Sequence, residues 1–342
     1  MNTVALGQTG LLVSEVGFGG IPIVALYPDE AMSVIRHCFG LGITFYDTAN
    51  MYGDSEMKIG AALEPVRSRV ILATKTMKRQ ADDAAKHIEQ SLQNLRTSMI
   101  DIYQIHQIAK RETLEEVLAP GGAYEALRRA RAEGKVRAIG FSSHNVETAI
   151  EACRTSLFET VQVPFNFIES RAADELFRVA ETMGMGIIAM KPLGGGVIGP
   201  AELCFRFLQQ FSAVVPIPGV KTCEEIDEIV GLYQNRETLN KADREEIERI
   251  RSELGTKFCR RCEYCLPCNK GVQIPIVLGF RGFASRLPPI ATLALVGPAM
   301  RSAESCIGCD ECIRKCPYEL PIPDLLKENL ALFREYEARY KD

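Results

Sequence analysis

Ile43-Thr-Phe-Tyr-Asp-Thr-Ala-Asn-Met-Tyr-Gly53 decides how the chain is read. Ile43 to Tyr46 is a short apolar run with the character of a buried strand. It ends in Asp47, and Tyr52 follows five residues later in a turn closed by Gly53. An acid at the C-terminal end of a strand, with a tyrosine in the loop beyond, is where an α/β barrel assembles its chemistry. Two later apolar runs end in the same manner: Arg69-Val-Ile-Leu-Ala-Thr-Lys75 delivers a lysine and Asp101-Ile-Tyr-Gln-Ile-His106 a histidine. Together Asp47, Tyr52, Lys75 and His106 form a proton-donor assembly.

Around that stretch, apolar runs and helical patterns alternate. Val4 to Val13 has the pattern of a small hairpin, two apolar arms around Gly-Gln-Thr-Gly. Strands are expected near Val16–Phe18, Ile43–Tyr46, Val70–Ala73, Ile102–Ile105, Val136–Phe141, Thr160–Val163, Gly186–Met190 and Ala213–Ile217. Helices fill the gaps: Pro28–Leu41, Ser55–Leu63, Asp82–Arg96, Tyr124–Glu133, Val146–Arg154, Ala173–Met183, Glu202–Gln210 and Glu224–Tyr233. This alternation over about 255 residues is what a (β/α)8 TIM barrel requires. A doubly wound open sheet is the alternative, but the first strand-to-helix turn lacks a Gly-x-Gly-x-x-Gly fingerprint. Asn240 to Leu254 is a charged amphipathic helix stopped at Gly255, after which cysteine, proline and glycine dominate. Two domains are therefore expected, 1–255 and 256–342, the second ending in a charged helix from Glu328 to Lys341.

The net charge of −4 is spread along 342 residues, which points to neither nucleic acid nor an anionic membrane as partner. No apolar run approaches the roughly 20 residues a spanning helix needs; the longest, Leu287 to Met300, is interrupted by prolines. The N-terminus shows no basic-then-apolar signal pattern, so the expectation is a cytoplasmic protein.

The four strand-end residues suit carbonyl reduction, in which hydride reaches carbon and a proton reaches oxygen. Tyr52 is the candidate general acid; a lysine beside it favours the phenolate. Asp47 would pair with Lys75 and hold it, while His106 would polarise and orient a carbonyl oxygen. Singly, each has a plainer reading: a turn cap, a solvated strand end, a rim histidine. In concert at successive strand ends they favour catalysis.

At this point the chain resembles the aldo-keto reductases, over roughly residues 1–240. Leu6-Gly-Gln-Thr-Gly10 and Val13-Ser-Glu-Val-Gly-Phe-Gly-Gly20 are similar to the family's opening, Asp47 to Gly53 to its signature, and Lys75 and His106 complete its tetrad. The resemblance implies NADP(H) or NAD(H) as cofactor and a small-molecule aldehyde or ketone as substrate. It also implies that the nicotinamide amide meets Ser142, Ser143 and Gln162, with Asn166 supporting the loop and Met190 where many members stack an aromatic ring. Lys191-Pro-Leu-Gly-Gly-Gly196, including Leu193 and Gly194, resembles the loop over the pyrophosphate; glycines there let backbone N–H groups approach phosphate. Gly219, Lys221 and Glu228 fall at the adenosine end. Members specific for NADP often carry an arginine where this chain has Glu225, which leaves the choice of nicotinamide cofactor open. His144 follows the serine pair and faces either substrate or a loop carbonyl.

Eight of the 12 cysteines lie between Cys259 and Cys316. Cys306-x2-Cys309-x2-Cys312-x3-Cys316-Pro317 is the run by which bacterial-type ferredoxins hold [4Fe–4S] clusters, the fourth cysteine ligating the other cluster of a pair. Cys259-x2-Cys262-x2-Cys265-x2-Cys268 is a second run, followed by Asn269 in place of proline. Crossed ligation would group Cys259, Cys262, Cys265 and Cys316 on one cluster and Cys268, Cys306, Cys309 and Cys312 on the other. A single cluster, or two zinc sites of four thiolates each, are the alternatives. Some aldo-keto reductases are similar in carrying a ferredoxin-like extension of this kind. Nicotinamide gives two electrons as hydride whereas such a cluster exchanges one. The primary expectation is thus a carbonyl reductase whose clusters are structural or form a docking surface for a redox partner. Electron relay between a partner and the barrel is the alternative, and a non-catalytic sensor the third.

Overall fold

In the computed structural model, described for residues 1–285 and 287–340, the chain groups into two units, Met1–Leu239 and a second beginning at Asn240. The charged helix Lys241–Gly255 thus opens the second unit, so the division falls one element earlier than the composition change suggests.

The first unit holds a hairpin of β1 (Thr3–Ala5) and β2 (Leu12–Ser14) and an eight-stranded parallel sheet. The sheet runs from β3 (Phe18–Gly19) through β4 (Phe45–Asp47), β5 (Ile71–Thr76), β6 (Ile100–Ile105), β7 (Val136–Ser142), β8 (Thr160–Pro164) and β9 (Gly186–Met190) to β10 (Val214–Ile217), each strand beside its sequence neighbour. The first and last strands meet: the N–H of Gly17 donates to Pro216 O and that of Gly19 to Pro218 O, both at 2.8 Å. A Cβ on Gly19 would lie 2.8 Å from Ile217 O, so the seam needs a residue without one. Helices Pro28–Gly40, Ser55–Leu63, Ala81–Asn94, Ala123–Ala132, Val146–Arg154, Leu176–Thr182, Ala201–Leu208 and Cys223–Gln234 alternate with the strands. An additional helix, Arg111–Leu118, follows β6 and is not among the helices expected from the sequence. The first barrel strand is shorter and later than the expected Val16–Phe18, because its backbone pairs only where it meets both β4 and the seam.

Alternation along the strands sorts the barrel interior into layers. Phe45, Ala73, Ile102, Ala138, Ile188 and Val215 form an apolar layer, onto which the hairpin packs Leu6, Leu11 and Val13. Two residues further along β4 and β5 stand Asp47 and Lys75, on the same inward face. His106 lies four residues past Ile102, just beyond β6. The polar residues are thus carried above a dry floor at the C-terminal end of the strands.

The second unit has its own core, with Val277, Phe280, Val296, Met300, Leu326 and Phe333 among its buried members. Its described residues form helices and turns without strands, so the likeness to ferredoxins concerns cysteine spacing and not a β-fold. Leu287 to Met300, expected to be broken by prolines, lies mostly in one helix, Pro289–Ser302, that passes through Pro298. Pro289 is harmless in the first turn, where its missing N–H has no helical partner. The last helix spans Ile322–Tyr340 and so begins six residues before the expected Glu328, since Ile322, Leu325 and Leu326 bury into this core. Lys341, at the end of that expectation, lies outside the described residues. Among the described residues no helix is long and apolar enough to cross a membrane.

Gly140 on β7 lies beside Thr160, whose hydroxyl would stand 1.9 Å from an added Cβ. Gly140→Ala is expected to cost about 1–3 kcal/mol by overpacking. The double variant Gly140→Ala/Thr160→Ala should recover much of that in denaturant midpoints, and strict additivity would show that the hydroxyl is not the obstacle.

Candidate active site

Backbone ties fix the turn that carries Asp47 and Tyr52. Thr48 N–H donates to Ala73 O at 2.8 Å and Asn50 N–H to Lys75 O at 3.1 Å, continuing the β4–β5 pairing beyond the strands. Tyr52 N–H donates to Ala49 O and Ser55 N–H to Tyr52 O, both at 2.9 Å. The Thr48 hydroxyl donates to Ser55 Oγ, which in turn donates to Gly20 O, each at 2.8 Å. The tyrosine is therefore held by a hydrogen-bonded turn at the head of helix Ser55–Leu63.

Lys75 Nζ donates to Asp47 Oδ1 and to Thr48 O, each at 2.6 Å. Both side chains are buried, at 1% and 3% exposure. Burial pushes the Asp47 carboxyl up and the Lys75 ammonium down, and the charge of each opposes the shift of the other. Lys75 Nζ lies 5.6 Å from the centre of the Tyr52 ring. The Tyr52 ring meets the His106 ring edge-on, with centres 5.8 Å apart. All four tetrad residues thus come together at one end of the barrel, with Tyr52 half-buried and the other three buried. Burial first, then the charges of Lys75 and Arg79, hold His106 well below the usual histidine range, so its imidazole is neutral and can donate one N–H.

The residues assigned to the nicotinamide lie nearby on β7 and β8. Ser142 pairs in register with Gln162. The Ser142 hydroxyl accepts from Gln107 N–H at 3.0 Å, while that of Ser143 donates to Asn145 O at 2.9 Å. Gln162 is buried, and its Oε1 has no partner among the described residues. A buried acceptor without a donor is costly, and it suits the N–H2 of a carboxamide. Asn166 Nδ2 donates to Lys191 O at 3.0 Å and ties the loops after β8 and β9. Met190 is the last residue of β9 and half-buried. Beyond it Gly194, Gly195 and Gly196 all adopt positive φ, and the N–H groups of Gly194 and Gly196 turn in on Lys191 O and Leu193 O. Gly219 bridges to Gly19. The Glu225 carboxylate accepts from Lys221 N–H at 2.6 Å and Thr222 N–H at 3.3 Å, capping helix Cys223–Gln234. Its negative charge therefore sits at a helix N-terminus that would otherwise attract phosphate. Glu228 is exposed one turn further on, and His144 is half-buried.

The motifs do not announce Arg79. Its Nη1 donates to His106 O at 2.7 Å and its Nη2 to Gln107 O at 3.2 Å, so it grips the loop that carries the histidine. The available signal is the loop after the strand that delivers Lys75, Met77-Lys78-Arg79-Gln80, which carries cations and no acid.

In the second unit the thiols gather in two groups. Cys259, Cys262, Cys265 and Cys316 line one recess. Cys268, Cys306, Cys309 and Cys312 line another, to which Cys265 also contributes. Burial pushes the Cys262 thiol up to about 11, with the charges of Cys259 and Cys316 adding to it; burial carries Cys265 to about 12. Among the described residues, however, no three His, Cys, Asp or Glu side chains are drawn up around a point that would hold a metal ion. Cys38, Cys153 and Cys204 are buried and raised to about 12 by burial, ordinary core thiols.

The Aldo/keto reductase family profile matches residues 15–199, just over half of the chain. A "Probable aldo-keto reductase 1" of Glycine max is 26% identical over 293 residues, covering 67% of this chain and 83% of that protein. The L-galactose dehydrogenase of Arabidopsis thaliana is 31% identical over 220 residues, covering 58% of this chain and 68% of the relative. In fold, the chain is similar to the holo form of an aldo-keto reductase from Bacillus halodurans, with a TM-score of 0.64 at 22% identity over 73% of this chain and 96% of the other.

The depressed His106 makes a pH prediction. Unfolded histidine titrates near about 6.5, so below that pH the unfolded chain binds a proton that folded His106 refuses. Stability from this group is complete above about pH 6.5 and falls as pH drops toward the folded value. His106→Asn should show a shallower loss of denaturant midpoint between about pH 6.5 and 5 than the parent; equal slopes would refute the assignment.

Proposed function

The chain belongs to the aldo/keto reductase family, and from that premise we propose that it reduces an aldehyde or ketone to an alcohol with Tyr52 as proton donor. It is an NAD(P)H-dependent oxidoreductase. The observation that carries the proposal is the buried Lys75 ammonium, fixed by Asp47 and Thr48 O, facing the Tyr52 ring beside a neutral His106.

Nicotinamide, when bound, supplies a hydride to the carbonyl carbon. Gln162 Oε1 would accept from its carboxamide, with Ser142 at the end of the adjacent strand and Ser143 just beyond it, and the loop Lys191–Gly196 would lie against the phosphates. Gly219, Lys221 and Glu228 would border the adenosine. His106 donates its N–H to the substrate oxygen and fixes its direction without competing as an acid. Tyr52 then passes its proton to that oxygen. The Lys75 charge stabilises the negative charge that develops on the tyrosine oxygen, and Asp47 keeps the lysine from drifting toward solvent. Tyr52→Phe is expected to lower kcat for an aldehyde by a factor on the order of 10² to 10⁴ while nicotinamide binding, followed by fluorescence, persists. Retention of the parent kcat would remove Tyr52 from the role.

For the second unit we propose two [4Fe–4S] clusters with crossed ligation, Cys259, Cys262, Cys265 and Cys316 for one and Cys268, Cys306, Cys309 and Cys312 for the other. The division of the thiols between two recesses supports that grouping. So do the mutual influence of Cys262 with Cys259 and Cys316 and of Cys312 with Cys306 and Cys309. Such clusters exchange single electrons, so they are assigned a structural role or a docking site for a redox protein, with exposed Cys309 nearest solvent. Anaerobically purified protein should contain about eight iron atoms per chain, and these should stay oxidised when NADH or NADPH is added without a carbonyl compound. Reduction of the iron by nicotinamide alone would replace the structural role with electron relay, and zinc in place of iron would discard the clusters.

A further inference from the structure

We propose that the substrate carries a carboxylate near its carbonyl group and that Arg79 is the residue that binds it. The inference rests on the carbonyl-reductase reading above and adds the substrate's chemical class. Arg79 is half-buried at the C-terminal mouth of the barrel, in the loop that follows β5. Its two hydrogen bonds to His106 O and Gln107 O place the guanidinium against the residue that orients the substrate oxygen. Among the described residues it makes no ion pair. Glu116 acts on it only through its field, and the Glu116 carboxylate accepts instead from Gln80 Nε2 at 3.2 Å.

A guanidinium has five N–H groups in a planar fork. Two groups are committed to the carbonyls, and the other three have no partner among the described residues. Holding a cation in partial burial without a counter-ion costs free energy that an anion arriving with the substrate would offset. The surroundings share this polarity. The loops flanking His106, Met77 to Gln80 and Gln107 to Lys110, contain Lys78, Arg79 and Lys110 and no acidic residue. Arg79 has also a structural part, since Gln107 adopts a left-handed conformation (φ 57°) that its Nη2 contact helps to hold. The two parts separate by their effect on substrates: a loop staple acts on every aldehyde equally, an anion anchor on one charge class.

The test compares 4-carboxybenzaldehyde with the similarly sized neutral 4-methylbenzaldehyde under saturating NADPH or NADH. The parent should favour the carboxylate in kcat/KM, chiefly through KM. In Arg79→Gln the ratio of the two kcat/KM values should fall about tenfold or more. In Arg79→Lys, which keeps charge and loses the fork, it should fall by less, and this variant decides the matter if Arg79→Gln does not fold. An unchanged ratio in the variants, or a parent without preference, overturns the anchor while leaving the carbonyl-reductase reading intact. Failure of the parent to reduce either aldehyde overturns both.

Discussion

The structure depends on keeping an ammonium and a carboxylate together in a place water does not reach. Lys75 and Asp47 meet at 2.6 Å, almost wholly buried. Taking two such charges out of water is expensive, and their attraction repays it only with good geometry and further hydrogen bonds. Thr48 O supplies one of those bonds. Asp47 Oδ2 has no partner among the described residues, so the acid is not fully satisfied. A pair so arranged is a poor source of stability and a good source of field, which is what the proton-donor role proposed for Tyr52 would need. The barrel bears the cost: an apolar layer below the pair, a closed ring of strands around it and a glycine seam that lets the ring close.

Local order around the pair follows from the same need. Asp47 and Lys75 sit on adjacent parallel strands, each two residues beyond an apolar inward residue. A one-residue slip would turn either charge outward toward the helices. The β4–β5 register, with Asp47 opposite Ala73, is extended by the bonds from Thr48 to Ala73 and from Asn50 to Lys75. These bonds draw the following turn, and with it Tyr52, back over the lysine. Rigid backbone pairing, rather than side-chain contact alone, sets the 5.6 Å between ammonium and ring.

The tetrad and most of the strands were legible because they rest on period-two alternation and on residue types at strand ends, both local in the chain. Asp47, Lys75 and His106 needed only that the apolar runs be strands. Arg79 was not legible, because its meaning comes from hydrogen bonds to carbonyls 27 and 28 positions away. The seam escaped for a similar reason: nothing near Gly17 and Gly19 in the chain shows that a side chain would not fit until β10 lies beside them. In the tail, prolines at 289 and 298 suggested a broken segment, yet burial of Val296 and Met300 in a separate core outweighs the lost helical bond. Cysteine spacing suggested a grouping of the thiols that remains a proposal. It could not report that the supporting elements would be helices.

Charge at the mouth of the barrel links these observations. His106 is kept neutral by burial and by two cations, Lys75 and Arg79, that serve different partners. Lys75 is compensated by Asp47, so its field at the substrate oxygen is that of a dipole and fades with distance. Arg79 makes no ion pair among the described residues and is offset only by the more distant field of Glu116, so its charge is less fully compensated than that of Lys75. A neutral carbonyl compound would leave that charge half-desolvated and unpaired throughout the reaction. A substrate bearing an anion would pair with it on binding, beside the loop that carries His106.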